Sequence, residues 1–273
     1  MAQEKWLVED EKTIDLETVT SLKVALVAGK IDIIGHDEPW ARVEVHSVRG
    51  KALQVSFEDG VLEIDHPQLR WDNFVDVLRS FSGSASAEVS IMVPRNVALK
   101  FGVVSATALI SGLVTGARTS ASTARISTVS GDVVVDSHIG DLDLNAVNGE
   151  FSVSDHTGRI SARTVSGDVT ATGAITRFIS DGVSGTVFLD ITGVPEEVRV
   201  NTVTGGVTAR LEPGVAARYR VNTVSGTLQI DDARVHGIRG AYSGSFGLLD
   251  KTWLEFTANT VSGDVSVLHS VGA

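Results

Sequence analysis

The chain contains no cysteine. Disulfide cross-links, a thiolate nucleophile and cysteine metal sites are thereby excluded, whatever the redox compartment. Long apolar runs are missing as well: nowhere do about 18 apolar residues follow one another, the length a membrane-spanning helix requires. The opening MAQEKWLVEDEKTIDLE has no apolar stretch of the secretion-signal kind. The expected location is therefore the cytoplasm, the alternative being the cell surface by a route not visible in the sequence. Positive charge is scarce, with 23 Lys and Arg against 34 Asp and Glu and a net charge of −11. Phosphate backbones would be repelled, so nucleic acid is excluded as a partner. Enzyme signatures are also lacking: there is no G-x-S-x-G, no G-x-x-x-x-G-K-[ST], no H-E-x-x-H and no helix-opening G-x-G-x-x-G. No catalytic residue and no cofactor are expected.

What is present is Val, Ile, Thr, Ser and Gly, in a chain of 273 residues that is 42% apolar and 21% charged. That balance supports a packed core, and those residue types favour strands and tight turns. A short phrase recurs: STVSGDVVV (127–135), RTVSGDVTA (163–171) and NTVSGDVSV (259–267). Aligned on its glycine, the repeat has anchors at Gly131, Gly149, Gly167 and Gly185 at steps of 18, then Gly205, Gly226 and Gly263 at steps of 20, 21 and 37. The last step leaves room for a degenerate unit at Gly244 in YSGSF, or for an irregular loop.

The columns of the stacked repeats carry the physical content. Seven residues before the anchor stand Ala124, Leu142, Ile160, Phe178, Val198, Tyr219 and Phe256, and five before it residues such as Ile126, Leu144, Val200 and Val221. Val129, Val147, Val165, Val183, Val203, Val224 and Val261 stand two before it; Val133, Phe151, Val169, Val187, Val207, Leu228 and Val265 stand two after. Apolar residues at every second position mark the buried face of a strand, so all these columns are expected inside. The alternation slips by one before the constant valine, which places a bend there. The expected fold is all-β: a β-solenoid of about 18-residue coils over 91–273, behind a strand-rich N-terminal capping region over 1–90. Seven coils at roughly 4.8 Å spacing make a rod of about 34 Å, stable only by stacking, whose open ends need cover.

The cap is read from KVALVAGKIDIIG, with Val27, Gly29, Ile31 and Ile33, and from the alternating ARVEVHS, ALQVSFEDG and VLEIDHP, some of these strands being antiparallel. Between cap and repeats, Trp71, Phe74, Leu78 and Phe81 recur at helical spacing, which predicts one short helix or irregular segment near 70–82. Those four residues either cover the solenoid end or contact a partner.

The V-x-G-x-I-x-I segment, IMVPRNVAL (91–99) and the V-S-G-D-V units up to LEFTANTVSGDVSV together resemble the bacterial putative-adhesin family, the DUF4097 β-strand repeat proteins. The likeness covers about residues 13–268. It implies a β-repeat fold and a non-enzymatic role, and it brings no catalytic residue with it.

Each candidate site has a plain structural counterpart. Asp132, Asp168 and Asp264, with Glu150 in the same column, either line up as cation ligands or make ordinary Gly-Asp corners, and stacked carboxylates would repel one another. The Thr and Ser columns flanking the valine either present a flat hydroxyl array, as on ice-binding solenoids, or satisfy corner backbone groups. His138 and His156, 18 apart with Asp136 and Asp155 nearby, are candidate metal ligands or coincident histidines. The stretch 231–252, with Asp231, Asp232, Arg234, His236 and Tyr242, departs from the repeat and is the place to look for a local site. The function expected is a non-enzymatic interaction or assembly module that binds a protein or cell-envelope component and self-associates through solenoid ends. The alternative is a carbohydrate-binding or carbohydrate-active protein using the outer face or the 231–252 loop.

Overall fold

The computed structural model describes residues 4–66, 85–116, 123–235 and 240–269. Strands make up 73% of them and no helix occurs among them, so the class is all-β. Five strands close a ring of pairings and the others lie outside it. The segment near 70–82, with Trp71, Phe74, Leu78 and Phe81, falls outside the described residues. By contact the chain forms two compact bodies, Met1–Asp141 and Leu142–Ala273, and the expected boundary at residue 90 lies within the first.

In the N-terminal body the organising element is the strand Ser21–His36, whose alternate residues Leu22, Val24, Leu26, Ile31 and Ile33 are fully buried. It bends at Ala28 and Gly29. Residues before the bend pair in parallel with Val61–Asp65, and those after it with Ser86–Pro94. Gly29 has φ 121° and a Cβ there would overlap the Ala87 carbonyl, so only glycine permits this corner. The other edge pairs in parallel with Ala98–Ser111, which carries Thr123–Thr128 on one arm and Val133–Asp136 on the other. Antiparallel strands extend the outer side. Leu53–Glu58 and Glu4–Val8 continue one arm; Ala41–Arg49 and Lys12–Leu16 continue the other. The antiparallel strands expected in the N-terminal segment are therefore present, and they lie beyond Val61–Asp65 and Ser86–Pro94.

The C-terminal body repeats one register. Phe151 lies opposite Val169 and Ile160 opposite Phe178, a step of 18 in parallel strands. Val169 faces Val187, and Phe178 faces Val198. Beyond this, spatial order leaves chain order. Val198 faces Phe256, and Phe256 in turn faces Tyr219; Val207 faces Val265, and Val265 faces Leu228. The segment 254–269 is thus inserted between 197–211 and 217–230. Gly240–Phe246 then runs antiparallel along Ala217–Ser225, and Ala233–Val235 antiparallel along Leu228–Ile230. Gly244 accordingly belongs to an antiparallel edge strand and not to a further repeat.

The core of this body is the set of columns read from the sequence. Ile160, Phe178, Val198, Phe256 and Tyr219 stack as one column, none more than 1% exposed, and the rings of Tyr219 and Phe256 meet edge to face at 6.2 Å. Each such side chain contributes roughly 1.5–3 kcal/mol by leaving water. Phe151, Val169, Val207, Val265 and Leu228 form the matching column on the other arm.

The constant valine does not behave as expected. Val147, Val165, Val183, Val203, Val261 and Val224 are 41% to 65% exposed, whereas Thr128, Ala146, Thr164, Thr223 and Thr260, one position earlier, are buried. The inward alternation therefore continues one step further, to the threonine, and changes phase after it. Thr128 shows how a hydroxyl is accommodated inside. Its Oγ1 accepts from the Gly131 N–H at 2.9 Å and donates to the Gly131 carbonyl at 2.9 Å, closing the corner locally. At this corner the hydroxyl is satisfied and Thr128 takes the inner position.

Candidate functional site

The anchor glycines are held by the backbone of the neighbouring repeat. A Cβ would overlap the Ala106 carbonyl at Gly131, the Gly149 carbonyl at Gly167, and the Gly167 carbonyl at Gly185. The series continues with Gly185 against Gly205, Gly205 against Gly263 and Gly263 against Gly226. Positive φ is limited to Gly185 and Gly205 within this set, so close approach between chains, rather than turn geometry, is the common requirement. The neighbouring aspartates serve the same corners. Asp168 Oδ1 accepts the Thr186 N–H at 2.7 Å, and Asp264 Oδ1 accepts the Thr227 N–H at 2.7 Å. Each carboxylate thus binds backbone of the adjoining repeat.

The other sequence candidates divide. His138 and His156 are both buried; the His138 Nε2 lies 3.3 Å from Thr115 Oγ1, and His156 lies where Asp155 takes a φ of 49°. Among the described residues no group of three or more His, Asp or Glu side chains gathers as metal ligands do. The threonine column is largely inside and cannot form an outer array, while Ser166, Thr204, Ser225 and Ser262 are exposed beside the valines. Asp231 in the stretch 231–252 receives the His269 N–H at 2.7 Å and its ring Nδ1 at 3.0 Å; His269 Nε2 reaches the Val215 carbonyl at 3.1 Å, and Phe246 stacks on the ring at 3.9 Å. This arrangement pins the last described strand, Val265–His269, beside a cavity of about 490 Å³. His236 lies outside the described residues.

Two outer features of the C-terminal body are not part of that corner chemistry. One is the exposed valine column, flanked two positions earlier by a ladder of amides. Asn201 Nδ2 donates to Asp181 at 2.8 Å, Asn259 to Asn201 at 2.7 Å, and Asn222 to Asn259 at 2.6 Å. The other is a cleft of about 420 Å³ between Val194–Pro195–Glu196 and Lys251–Thr252–Trp253, with Glu255 at its base. Trp253 is fixed there: its Nε1 donates to Glu255 Oε1 at 2.8 Å, Arg218 Nη1 donates to the same oxygen at 2.8 Å, and the Arg218 guanidinium lies over the indole at 5.5 Å. The stretch 231–252 contributes Lys251 and Thr252 to one wall, and sequence reasoning missed the facing wall. The signal was the 20-residue step from Gly185 to Gly205, whose two extra residues fall in the corner that contains Val194–Glu196.

No family model matches the chain, and no curated protein matches it. Solved structures do resemble it along nearly their whole lengths. A "putative lipid binding protein" from Parabacteroides distasonis is 11% identical with a TM-score of 0.50, over 95% of this chain and 97% of that one. A "putative cell adhesion protein" from Clostridium sporogenes is 18% identical with a TM-score of 0.26, over 97% and 98%. A "putative adhesin" from Bacteroides fragilis is 10% identical with a TM-score of 0.41, over 95% and 98%. The first of these is a likeness of fold. Among the described residues, no helix is long and apolar enough to cross a membrane.

Proposed function

We propose that the protein is a non-catalytic β-solenoid interaction module that engages a protein or cell-envelope component through its outer valine column. The observation that carries this reading is the column itself. Val147, Val165, Val183, Val203, Val261 and Val224 recur once per repeat and are each about half exposed, although a chain with this core has ample buried positions for valine. A continuous apolar strip on a soluble surface is the usual mark of a contact site. Its neighbours are exposed hydroxyls, the amides of Asn201, Asn222 and Asn259, and the charged Arg163 and Asp181, groups that can complete a polar rim. The solenoid reading is supported by the parallel register at steps of 18 and 20 and by strands that bend between two arms. A ring of five paired strands also fits it, because bent strands whose arms pair separately close such rings. Repulsion by the net charge of −11 keeps acidic polymers out of the partner set.

The test is a triple variant, V165S/V183S/V203S, compared with wild type in photo-cross-linking on intact envelopes and in whole extracts. The reading requires a defined adduct that the variant loses while its circular dichroism is unchanged. Incubation with a panel of polysaccharides addresses the absence of catalysis: release of new reducing ends overturns it.

A further inference from the structure

The cleft at Trp253 stands apart from the valine column and from the histidine corner, and its chemistry is specific enough to name a ligand class. It is built where the repeat is broken. In the regular units six residues lie between the inward residue four after the anchor glycine and the one that opens the next unit, as between Val153 and Ile160 or between Ala171 and Phe178. Between Leu189 and Val198 there are eight, and the adjoining repeat enters through the long connection from Phe246 to Leu254. Glu197 pairs with Glu255, and the Glu255 N–H donates to the Glu196 carbonyl at 3.1 Å, so the two enlarged corners lie side by side and rise on either side of the cleft.

The indole is pre-positioned. Its N–H is bound by Glu255, its ring carries the Arg218 guanidinium over it at 5.5 Å, and Arg220 lies 3.8 Å from the second Glu255 oxygen. The Glu255 charge is therefore already matched by the two arginines. What faces the cleft otherwise is one carboxylate, Glu196, one ammonium, Lys251, one hydroxyl, Thr252, and the apolar Val194 and Pro195. The charges of opposite sign cancel, so neither an anionic nor a cationic ligand is selected. An aromatic plane bordered by both hydrogen-bond donors and acceptors matches a ring that is apolar on its face and carries hydroxyls on its edge. Hydroxyls both donate and accept, and C–H faces stack on indole. About 420 Å³ is within the range of small-molecule pockets, at its lower end.

We propose that this cleft is a binding subsite for a neutral saccharide, with Trp253 as the stacking platform and Glu196 and Lys251 as hydroxyl partners. The site is one of binding and not of turnover: its second carboxylate, Glu255, is engaged by Arg218 and the indole N–H and is not free to act on a glycosidic bond.

The experiment is isothermal titration of the full chain with maltohexaose, cellohexaose and chitohexaose, each to millimolar concentration. The expected result is saturable binding of at least one, weakened at least tenfold by W253A and equally by V194W, which fills the cleft and leaves the indole in place. V134S, on an exposed position of the strand Val133–Asp136, is expected to bind as wild type does. No binding of any of the three sugars overturns the proposal, and so does binding that survives both cleft variants or that V134S abolishes. V194W keeps the test valid should W253A lose its fold by circular dichroism.

Discussion

Asn259 donates its side-chain amide to Asn201 at 2.7 Å across 58 residues of chain, and accepts from Asn222 at 2.6 Å across 37. It is thus the middle member of a ladder whose outer members come earlier in the sequence. Replacing it with leucine removes both bonds and leaves an amide oxygen and an amide N–H without partners. N259L is expected to lower stability by about 1–2 kcal/mol, seen as a shifted urea midpoint at constant slope. N222L, which removes a single bond at the end of the ladder, is expected to cost less, and the reverse order would contradict the arrangement.

The anchor glycines give a sharper contrast. A methyl at Gly205 meets the Gly185 carbonyl in a strand that cannot move without its neighbours, and φ there is 137°. G205A is expected to cost more than about 2 kcal/mol. Gly193 also has positive φ, 77°, but nothing lies within 4 Å of its would-be Cβ. G193A therefore bears only the conformational cost of about 1 kcal/mol. Equal midpoints for the two variants would remove steric approach as the reason for the anchors.

Buried hydroxyls differ along the threonine column. The Thr128 hydroxyl bonds twice to Gly131, whereas Thr260 Oγ1 and the Tyr219 hydroxyl are buried with no hydrogen-bond partner. Burial, with Asp231 adding to it, pushes the Tyr219 phenol well above its ordinary range. T260V and Y219F are expected to be neutral or stabilising by up to about 1 kcal/mol, and T128V destabilising by about 1 kcal/mol. Thermal unfolding of the three variants decides it; a loss of stability in T260V equal to that in T128V speaks against the assignment.

Asp65 and His66 impose opposing pH dependences. Burial, reinforced by Glu63, raises Asp65 from 3.8 to about 6, so its contribution is fully present below about 4 and is lost as pH rises through 6. Burial, reinforced by Lys51, lowers His66 from 6.5 to about 4, so its contribution is present above 6.5 and is lost as pH falls through 4. Relative to wild type, D65N should gain stability as pH rises from 4 to 6, and H66Q should lose it over the same interval. Urea titrations at each pH test the signs, and parallel curves for the two variants would falsify the assignment.

How much of this was legible follows from which rule each residue obeyed. Phe178, Phe256 and Val265 are inside because apolar residues at alternate positions have one buried face, and the pattern gave their columns directly. Val165 and Thr164 reverse that rule, the valine being 50% exposed and the threonine 8%, and nothing in the alternation of apolar residues marks the change of phase between them. Asp168 and Asp264 were legible as corner residues, though their backbone partners in the next repeat were not. The place of 254–269 could not be read from the sequence because every repeat presents the same column chemistry, so Val198 accepts Phe256 as well as it would accept Tyr219. The cleft was half legible: Lys251 lay in a stretch already marked as irregular, but Val194 was hidden behind a spacing only two residues longer than its neighbours.

That interleaved order has a consequence for biosynthesis. Among the described residues, Ala217–Ser225 pairs only with Gly240–Phe246 and Leu254–Ser262, and Leu228–Ile230 only with Ala233–Val235 and Val265–His269. Every strand partner of 217–230 is made later than it is. On the ribosome the earlier repeats can zip up as they emerge, each on the one before. Residues 217–230 can pair on one edge with Ala233–Val235 and Gly240–Phe246 as these emerge, but their other edge must wait until the segment 254–269 has left the exit tunnel and taken its place on 197–211. Arrival of 254–269, rather than steady growth of the stack, is then the event that joins 217–230 to the earlier repeats.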